Sequence, residues 1–330
     1  MNVVDLTMDL IKIPSPSGEE KEIGEFLVKR LEKSFNVKKQ VVGNRFNILA
    51  TKGNPRLILT THIDTVPKQI KIKEDDEWIY GRGACDTKGI IASMISASEE
   101  AVRLGYSNFG LLFDVSEESD FLGIKKAVNL VNPELVIVGE PTEFKIVKGQ
   151  KGLLGLRIKC IGKSAPGSTP EKGISAINEL INMLFAIKGL ELPFDKELGK
   201  TTINIGKING GTAPNVVADY AEAIMEIRTT RLNEEIINLI NKNIPKDSID
   251  ILYSFEYVLT DNILLNKFGF EKIIVPYFTE MYFWSKKTKS FVFGPGQYEF
   301  AHTDNEKIKK KDLEKGKKIY LEFIKTFNKD

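Results

Sequence analysis

Short apolar runs alternate with amphipathic segments through the first half of the chain. Apolar residues dominate 56–61, 109–115 and 135–138, which predicts buried β-strands. Residues 87–105 instead repeat apolar positions every three or four residues, as a helix does. Strands that alternate with helices are typical of a mostly parallel sheet with helices on both faces. We therefore predict an α/β domain.

The pattern changes near Gly152. From residue 153 to 257 it predicts the order β-α-β-β-α-β, which fits a compact ferredoxin-like α+β fold. Apolar strands then return, followed by a basic helix from Lys311. The sequence thus predicts a discontinuous α/β domain with an inserted lid domain, divided as residues 1–153 with 260–330, and residues 154–259.

Two helix starts are predicted from their capping residues. Ser17 and Glu20 have the spacing of a capping box, in which the two side chains bond the first free N–H groups of a helix. Ser119 is placed to cap the helix after the strand at 109–115. These predictions fix where two loops of the α/β domain end.

Composition excludes several classes of protein. Lys and Arg number 47 against 45 Asp and Glu, so no basic excess indicates a nucleic-acid partner. No apolar stretch approaches the roughly 20 residues that span a bilayer, and the N-terminus has no signal-peptide pattern. Cys85 and Cys160 give no disulfide framework. We expect a cytoplasmic protein with no nucleic-acid or membrane partner.

The two histidines of the chain follow apolar runs, and so do several carboxylates between them. Imidazole is a frequent zinc ligand, and ligand sites in open α/β sheets form beyond the carboxyl ends of the strands. Such a set can hold two divalent ions about 3–4 Å apart, lower the pKa of a bridging water, and leave a further carboxylate as general base. The residues concerned are His62, Asp86, Glu117, Glu118, Glu140 and His302.

Structural interpretations of the same residues stay open. Asp86 also fits the N-cap of the helix from residue 87, and 117–118 fits an acidic helix N-terminus. The Gly-Glu-Pro-Thr sequence at Glu140 is also a good turn. Arg228 stands two residues from Glu226 and fits an ion pair. The residue before Asp86, a cysteine, fits buried packing better than thiolate ligation.

Five motifs, in this order, resemble those of one enzyme family. It is the co-catalytic di-zinc aminoacylase family, which includes acetylornithine deacetylase, succinyl-diaminopimelate desuccinylase, glutamate carboxypeptidase and archaeal lysine/ornithine carrier-protein hydrolases; the last are the most similar in type. The motifs are His62-Ile-Asp64-Thr-Val-Pro67, Gly81-Arg-Gly-Ala-Cys-Asp86-Thr-Lys-Gly89, Glu117-Glu118, Gly139-Glu140-Pro-Thr142 and Ala301-His302-Thr-Asp-Asn-Glu306.

The resemblance assigns a role to each metal-site residue. It implies two divalent ions, zinc first and cobalt or manganese as alternatives, and Glu117 as the general base that activates the bridging water. Asp64 would orient the His62 ring through its far nitrogen. The implied ligands are His62 and Glu140 on one ion, Glu118 and His302 on the other, and Asp86 bridging both.

The resemblance also covers the substrate side, with one departure. Asn215 and Arg228 match positions that hold the substrate carboxylate or the oxyanion, and Gly294 and Gly296 would let backbone amides approach the substrate. Family members usually have a histidine at the position of Pro166, which in many dimers reaches the partner's active site. The candidates to replace it are Ser164, Ser168, Asn215 and Arg228.

Three functions are consistent with these residues. The first is a zinc-dependent amidohydrolase of amino-acid biosynthesis, for lysine or arginine, that removes an N-acyl group from acetylornithine, acetyl-lysine or a carrier-protein-linked lysine or ornithine. The alternative is an exopeptidase for di- and tripeptides with the same metal site. The third is a catalytically impaired metal-binding homologue, which only Pro166 favours. A homodimer through the lid domain is expected from the family.

Overall fold

The computed structural model describes residues 2–260 and 269–328. Within these residues the chain divides into two compact units. One contains the described residues of Met1–Lys148, Thr260–Ile273 and Thr279–Asp330, and the other contains Gly149–Leu259 and Ile274–Phe278. No helix among the described residues has both the length and the apolar character needed to cross a membrane.

The described helices and strands alternate along most of the chain. The helices are α1 Val3–Ile11, α2 Lys21–Leu31, α3 Lys88–Arg103, α4 Leu122–Ala127, α5 Ala176–Lys188, α6 Asn233–Asn241, α7 Met281–Ser285 and α8 Lys310–Phe327. The strands are β1 Asn36–Val42, β2 Arg45–Lys52, β3 Leu57–His62, β4 Lys73–Glu74, β5 Trp78–Tyr80, β6 Phe109–Asp114, β7 Leu135–Val138, β8 Ile146–Gln150, β9 Gly152–Ile161, β10 Phe194–Asp195, β11 Gly199–Lys200, β12 Thr202–Gly210, β13 Tyr220–Thr229, β14 Ile249–Phe255, β15 Val258–Leu259, β16 Lys272–Val275, β17 Lys289–Val292 and β18 Lys307–Lys309.

The first unit is built around a mixed sheet with a parallel centre. Its strand order is β1-β2-β6-β3-β7-β17-β8, and the pairs β6/β3, β3/β7 and β7/β17 are parallel. The outer pairs are antiparallel. Strands β3, β6 and β7 are buried along their whole length, as their continuous apolar runs predict. The predicted α/β fold class is confirmed.

The sheet packs against helices that come from both ends of the chain. Helix α3 packs against α8 and α1, and α2 packs against β2. The hairpin of β1 and β2 is absent from the sequence-based strand list. Most side chains of β1 are exposed or half-buried, so it shows no continuous apolar run.

The second unit contains the predicted ferredoxin-like order. Strands β9, β12, β13 and β14 form an antiparallel sheet in the order β12-β13-β9-β14, and one apolar core joins it to α5 and α6. The segment 274–278, which the sequence-based division assigns to the first domain, belongs to this unit. The ring of Phe278 stacks on Phe255 with centroids 5.3 Å apart, and the Lys151 N–H donates to the Val275 carbonyl.

Both predicted helix caps are wrong. Ser17 donates its hydroxyl to Asp64 Oδ2 at 2.6 Å, and Glu20 makes no side-chain cap bond to α2. Helix α4 starts at Leu122, after Phe121 with φ of 58°, and the Ser119 hydroxyl contacts the Ser116 carbonyl instead. Both serine side chains thus bond groups outside the helices that they were predicted to cap.

Candidate metal centre

The parallel strands bring the predicted metal-site residues to one edge of the main sheet. His62 is the last residue of β3, and Glu140 lies two residues after β7. Glu117 and Glu118 follow β6 in a turn, and His302 follows β17 along the chain. Neighbouring parallel strands end on the same side, so residues distant in sequence meet there.

Asp86 faces both histidines through different oxygen atoms. Its Oδ1 lies 3.1 Å from His62 Nε2, and its Oδ2 lies 3.2 Å from His302 Nε2. Glu140 Oε1 lies 4.0 Å from His62 Nε2, whereas Glu118 Oε1 lies 2.8 Å from His302 Nε2. The structure therefore brings all five predicted ligands together in two groups, His62 with Asp86 and Glu140, and His302 with Asp86 and Glu118.

The chemistry of these two groups suits divalent metal ions. Each group offers one imidazole nitrogen and two carboxylate oxygens that lie within 4.8 Å of one another. Burial raises the pKa of Glu140 well above its usual range, and the Asp86 and Glu118 carboxylates raise it further. Concentrated buried negative charge of this kind is stabilised by bound cations. The donor set suits zinc, cobalt or manganese.

Glu117 lies beside the two groups without belonging to either. Burial raises the pKa of its carboxyl well above the usual range, and the neighbouring Glu140 and Glu118 carboxylates act in the same direction. A carboxylate with a raised pKa that ligates no ion is the type of group that takes a proton from water.

Asp64 holds the turn that carries the two glutamates. Its Oδ1 accepts the N–H of Glu117 at 3.0 Å and its Oδ2 accepts the N–H of Glu118 at 3.1 Å. His62 Nδ1 lies 2.9 Å from the Asp64 carbonyl oxygen and 3.5 Å from the carboxylate. The His62 ring is therefore oriented mainly by the Asp64 carbonyl, and not by the Asp64 side chain as predicted. The Asp64 carboxylate mainly holds the turn that carries Glu117 and Glu118.

A second set of polar residues supports the same turn from the other side. Ser116 has φ of 66°, and its N–H donates to Glu20 Oε1 at 3.1 Å. Arg45 Nε lies 2.8 Å from Glu20 Oε2, and the same guanidinium contacts the Ser116 hydroxyl. Asn47 Oδ1 accepts the Val115 N–H at 3.2 Å. No sequence motif marks these residues in this role, because their contacts join segments that are distant along the chain.

The two glycines predicted to face the substrate have close neighbours. A Cβ on Gly294 would lie 2.5 Å from the Glu140 carbonyl oxygen, so this backbone approach requires glycine. The Gly294 N–H donates to Thr142 Oγ1 at 3.0 Å and is already engaged. Gly296 has φ of 96°, and a Cβ there would lie 2.7 Å from Cys85 Sγ. Cys85 itself is buried and lies outside both metal groups, as the packing interpretation predicts.

The predicted substrate residues Asn215 and Arg228 lie in the second unit. Asn215 is exposed in the loop before β13, not in a strand as predicted, and its carbonyl accepts the Gly167 N–H at 2.7 Å. Arg228 Nη2 lies 2.7 Å from Glu226 Oε1, so the predicted ion pair is present. Pro166 pairs with Val216, the residue after Asn215.

Two further carboxyl groups near the metal groups had not been predicted. Asp114 ends β6 and Glu280 precedes α7, and both are fully buried. Burial raises the pKa of Asp114 to about 7, and burial with the nearby Asp114 carboxyl raises that of Glu280 well above its usual range. Asp114 falls inside an apolar run and Glu280 in no motif, so only the three-dimensional structure shows their association.

Several known proteins are similar to this chain in sequence or in fold. A peptidase M20 domain-containing protein of Schizosaccharomyces pombe is 33% identical, over 98% of this chain and 84% of the relative. A protein of Arthroderma otae named "Probable carboxypeptidase" is 31% identical, over 98% of this chain and 85% of the relative. The crystal structure of a tripeptidase from Staphylococcus aureus has a TM-score of 0.85 and 25% identity, over 100% of this chain and 98% of that one.

The family model described as peptidase family M20/M25/M40 matches residues 58–326. Enzymes of this family typically bind two metal ions, and the described residues of this chain include two groups of candidate ligands that share Asp86. The chain therefore belongs to the peptidase family M20/M25/M40 and is a metallohydrolase that acts on amide and peptide bonds.

Proposed function

We propose that this chain is a metal-dependent exopeptidase that removes the last residue of short peptides with a free C-terminal carboxylate. The observation that carries this proposal is the pair of ligand groups that share Asp86, with Glu117 beside them. One relative is named a probable carboxypeptidase, and the similar crystal structure is that of a tripeptidase. These names favour the peptidase alternative over the N-acyl deacylase, which was our first hypothesis from sequence.

The residues of the first unit supply the chemistry. When bound, two divalent cations, zinc in our proposal, polarise the scissile carbonyl and lower the pKa of water. His62 and Glu140 would hold one cation, His302 and Glu118 the other, with Asp86 between them. Glu117 takes the proton of the attacking water and returns it to the leaving amine.

Arg228 is our candidate for binding the C-terminal carboxylate of the substrate. A guanidinium presents five N–H donors in a planar fork, and the contact with Glu226 uses only part of them. Its side chain is 29% exposed, so part of it is accessible to a ligand.

The oxyanion donor must come from a residue other than Pro166. Ser164 donates its hydroxyl to Asp219 at 2.8 Å, and Arg228 is already our candidate for the substrate carboxylate, whereas Ser168 and Asn215 lie near the Pro166 strand bridge. We propose Asn215, because a side-chain amide is a common oxyanion donor and its removal typically costs about 10²–10³ in kcat.

The proposal is tested with metal-loaded protein and a matched set of substrates. The set contains an N-blocked dipeptide, the same dipeptide with a C-terminal amide, unblocked di- and tripeptides, acetylornithine and acetyl-lysine. We expect turnover of the free-carboxylate peptides, no turnover of the amide, and loss of activity on chelation. Turnover of the acetylated amino acids alone would instead support the deacylase, and cleavage of the amide would contradict the carboxypeptidase type.

A matched variant tests the substrate contact. Arg228→Met should raise KM for the N-blocked dipeptide and leave metal content unchanged, because the contact lies outside both ligand groups. An unchanged KM would contradict the proposed role of Arg228.

A further inference from the structure

A buried carboxylate outside both ligand groups links the two segments that carry Asp86 and His302. Glu306 is 1% exposed and lies four residues after His302. Its Oε1 accepts the N–H of Asp86 at 3.0 Å and the N–H of Cys85 at 3.1 Å. One carboxylate oxygen therefore fixes the backbone of the residue that both ligand groups share.

The other oxygen of Glu306 connects to a third segment. Its Oε2 lies 2.6 Å from Nη1 of Arg82, which is 2% exposed, and Arg82 Nε donates to the Lys68 carbonyl at 2.8 Å. Lys68 follows His62 by six residues, and its ammonium contacts the Asp304 carboxylate. The guanidinium thus joins the segments that follow β3 and β17.

Backbone contacts reinforce this connection. The Gly81 N–H donates to the Glu306 carbonyl at 3.2 Å, and β18, which starts at the next residue, pairs with β5. His302 has φ of 60°, a left-handed conformation that a residue with a side chain adopts only when its surroundings hold it there.

We propose that Glu306 is a positioning residue: with Arg82 it holds Asp86 and the segment of His302 in one arrangement, so that both ligand groups depend on it. Glu306 is not the general base, because its two oxygens are engaged by Arg82 and by two backbone N–H groups. This inference rests on the ligand set of the proposed function.

The test measures metal affinity rather than activity. Metal-free wild type and Glu306→Gln are titrated with Zn²⁺ against a competing chelator, and the visible spectrum of the Co²⁺-loaded forms reports ligand geometry. Glutamine keeps the shape but turns an amide donor towards Arg82, so we expect 10- to 100-fold weaker binding of both ions. Glu299→Gln, an exposed glutamate before His302, is the control and should match wild type.

Each outcome decides the inference. A folded Glu306→Gln variant with wild-type affinity and Co²⁺ spectrum overturns it. If circular dichroism shows that this variant does not fold, Arg82→Lys decides: its single ammonium cannot reach both Glu306 and the Lys68 carbonyl as the fork does, and unchanged affinity overturns the inference. A wild type that binds no metal overturns the proposed function as well.

Discussion

Glu117 is held at the metal centre by its backbone, while its carboxyl stays outside both ligand groups. Glu117→Gln removes the proton acceptor and keeps the size of the side chain. We expect kcat to fall by about 10²–10⁴, because that is the usual contribution of a general base. The metal content, measured on the same preparation, should remain at the wild-type value; a variant that keeps its kcat would contradict the assignment.

The protonation state of the metal-free site predicts how metal binding depends on pH. Hydrogen bonds to Asp86 and Glu118 raise the pKa of His302 to about 10, so its ring is protonated at neutral pH and must lose that proton to bind an ion. Burial likewise raises the pKa of the Glu140 carboxyl. Metal affinity should therefore fall as pH is lowered, since protons compete for the same atoms.

Calorimetry checks this expectation. Zn²⁺ is titrated into metal-free protein at pH 7 in two buffers that differ in ionisation enthalpy. The apparent binding enthalpies should differ, because the protein releases protons to the buffer. Equal enthalpies in the two buffers would show that the site is already deprotonated.

The metal-site residues were accessible to sequence analysis because each follows an apolar strand or belongs to a motif. Their supporting residues were not. Glu20 bonds the Ser116 N–H, far along the chain, whereas the local pattern indicates a helix cap. Asp114 falls inside a predicted strand, and no local signal marks its association with Glu280. The local sequence predicts bonds between neighbouring residues, whereas the partner of a buried charge is set by tertiary contacts.

At the scale of elements, the turn between β6 and α4 depends on α2 and β2. Glu20, at the start of α2, is buried and binds both Arg45 and the Ser116 N–H. Glu20→Ala removes the carboxylate that binds the Arg45 guanidinium and the Ser116 N–H. We expect the free energy of unfolding of the metal-free protein to fall by about 3 kcal/mol.

Urea denaturation measures this loss against a matched variant. Glu25 is in the same helix and forms an exposed pair with Lys39. Exposed pairs contribute about 0–1 kcal/mol, so Glu25→Ala should change little. Equal destabilisation by the two variants would argue against a supporting role for Glu20.

Elements with continuous apolar runs were predicted nearly to the residue, whereas β1 and both capped helix starts were not. An exposed outer strand such as β1 lacks the pattern that marks a central strand. The starts of α2 and α4 carry good capping residues whose side chains bond Asp64 and Ser116 instead.

At the scale of the whole molecule, the second unit presents a surface that suits a second copy of this chain. Helix α5 exposes Ile177, Ile181 and Phe185 at helical spacing, and Ile208 is exposed on the outer strand β12. An outer strand can pair with its own copy around a two-fold axis, and the apolar stripe would then be buried. We propose that the chain forms a homodimer through α5 and β12.

Light scattering after size-exclusion chromatography tests the dimer. Phe185→Glu places a charge in the stripe and should shift the protein to monomer. Leu104→Glu, which replaces an exposed leucine of the first unit, should keep the wild-type mass. A wild type that is monomeric at every concentration would contradict the proposal.

The change of pattern near residue 152 predicted an insertion, yet the small segment 274–278 could not be assigned from sequence. Its place follows from ring stacking and backbone bonds with the second unit, which leave no periodic signal.

The position of β17 between β7 and β8 has a consequence for how the protein is made. A ribosome releases β7 and β8 long before β17, so the growing chain carries an open gap in its main sheet while the second unit is synthesised. The second unit is almost continuous in sequence, so it can fold before β17 is synthesised. The group of His62, Asp86 and Glu140 is complete in sequence before the second unit is made, whereas the group of Asp86, Glu118 and His302 is complete only when His302 emerges. Binding of a second metal ion therefore becomes possible only late in synthesis.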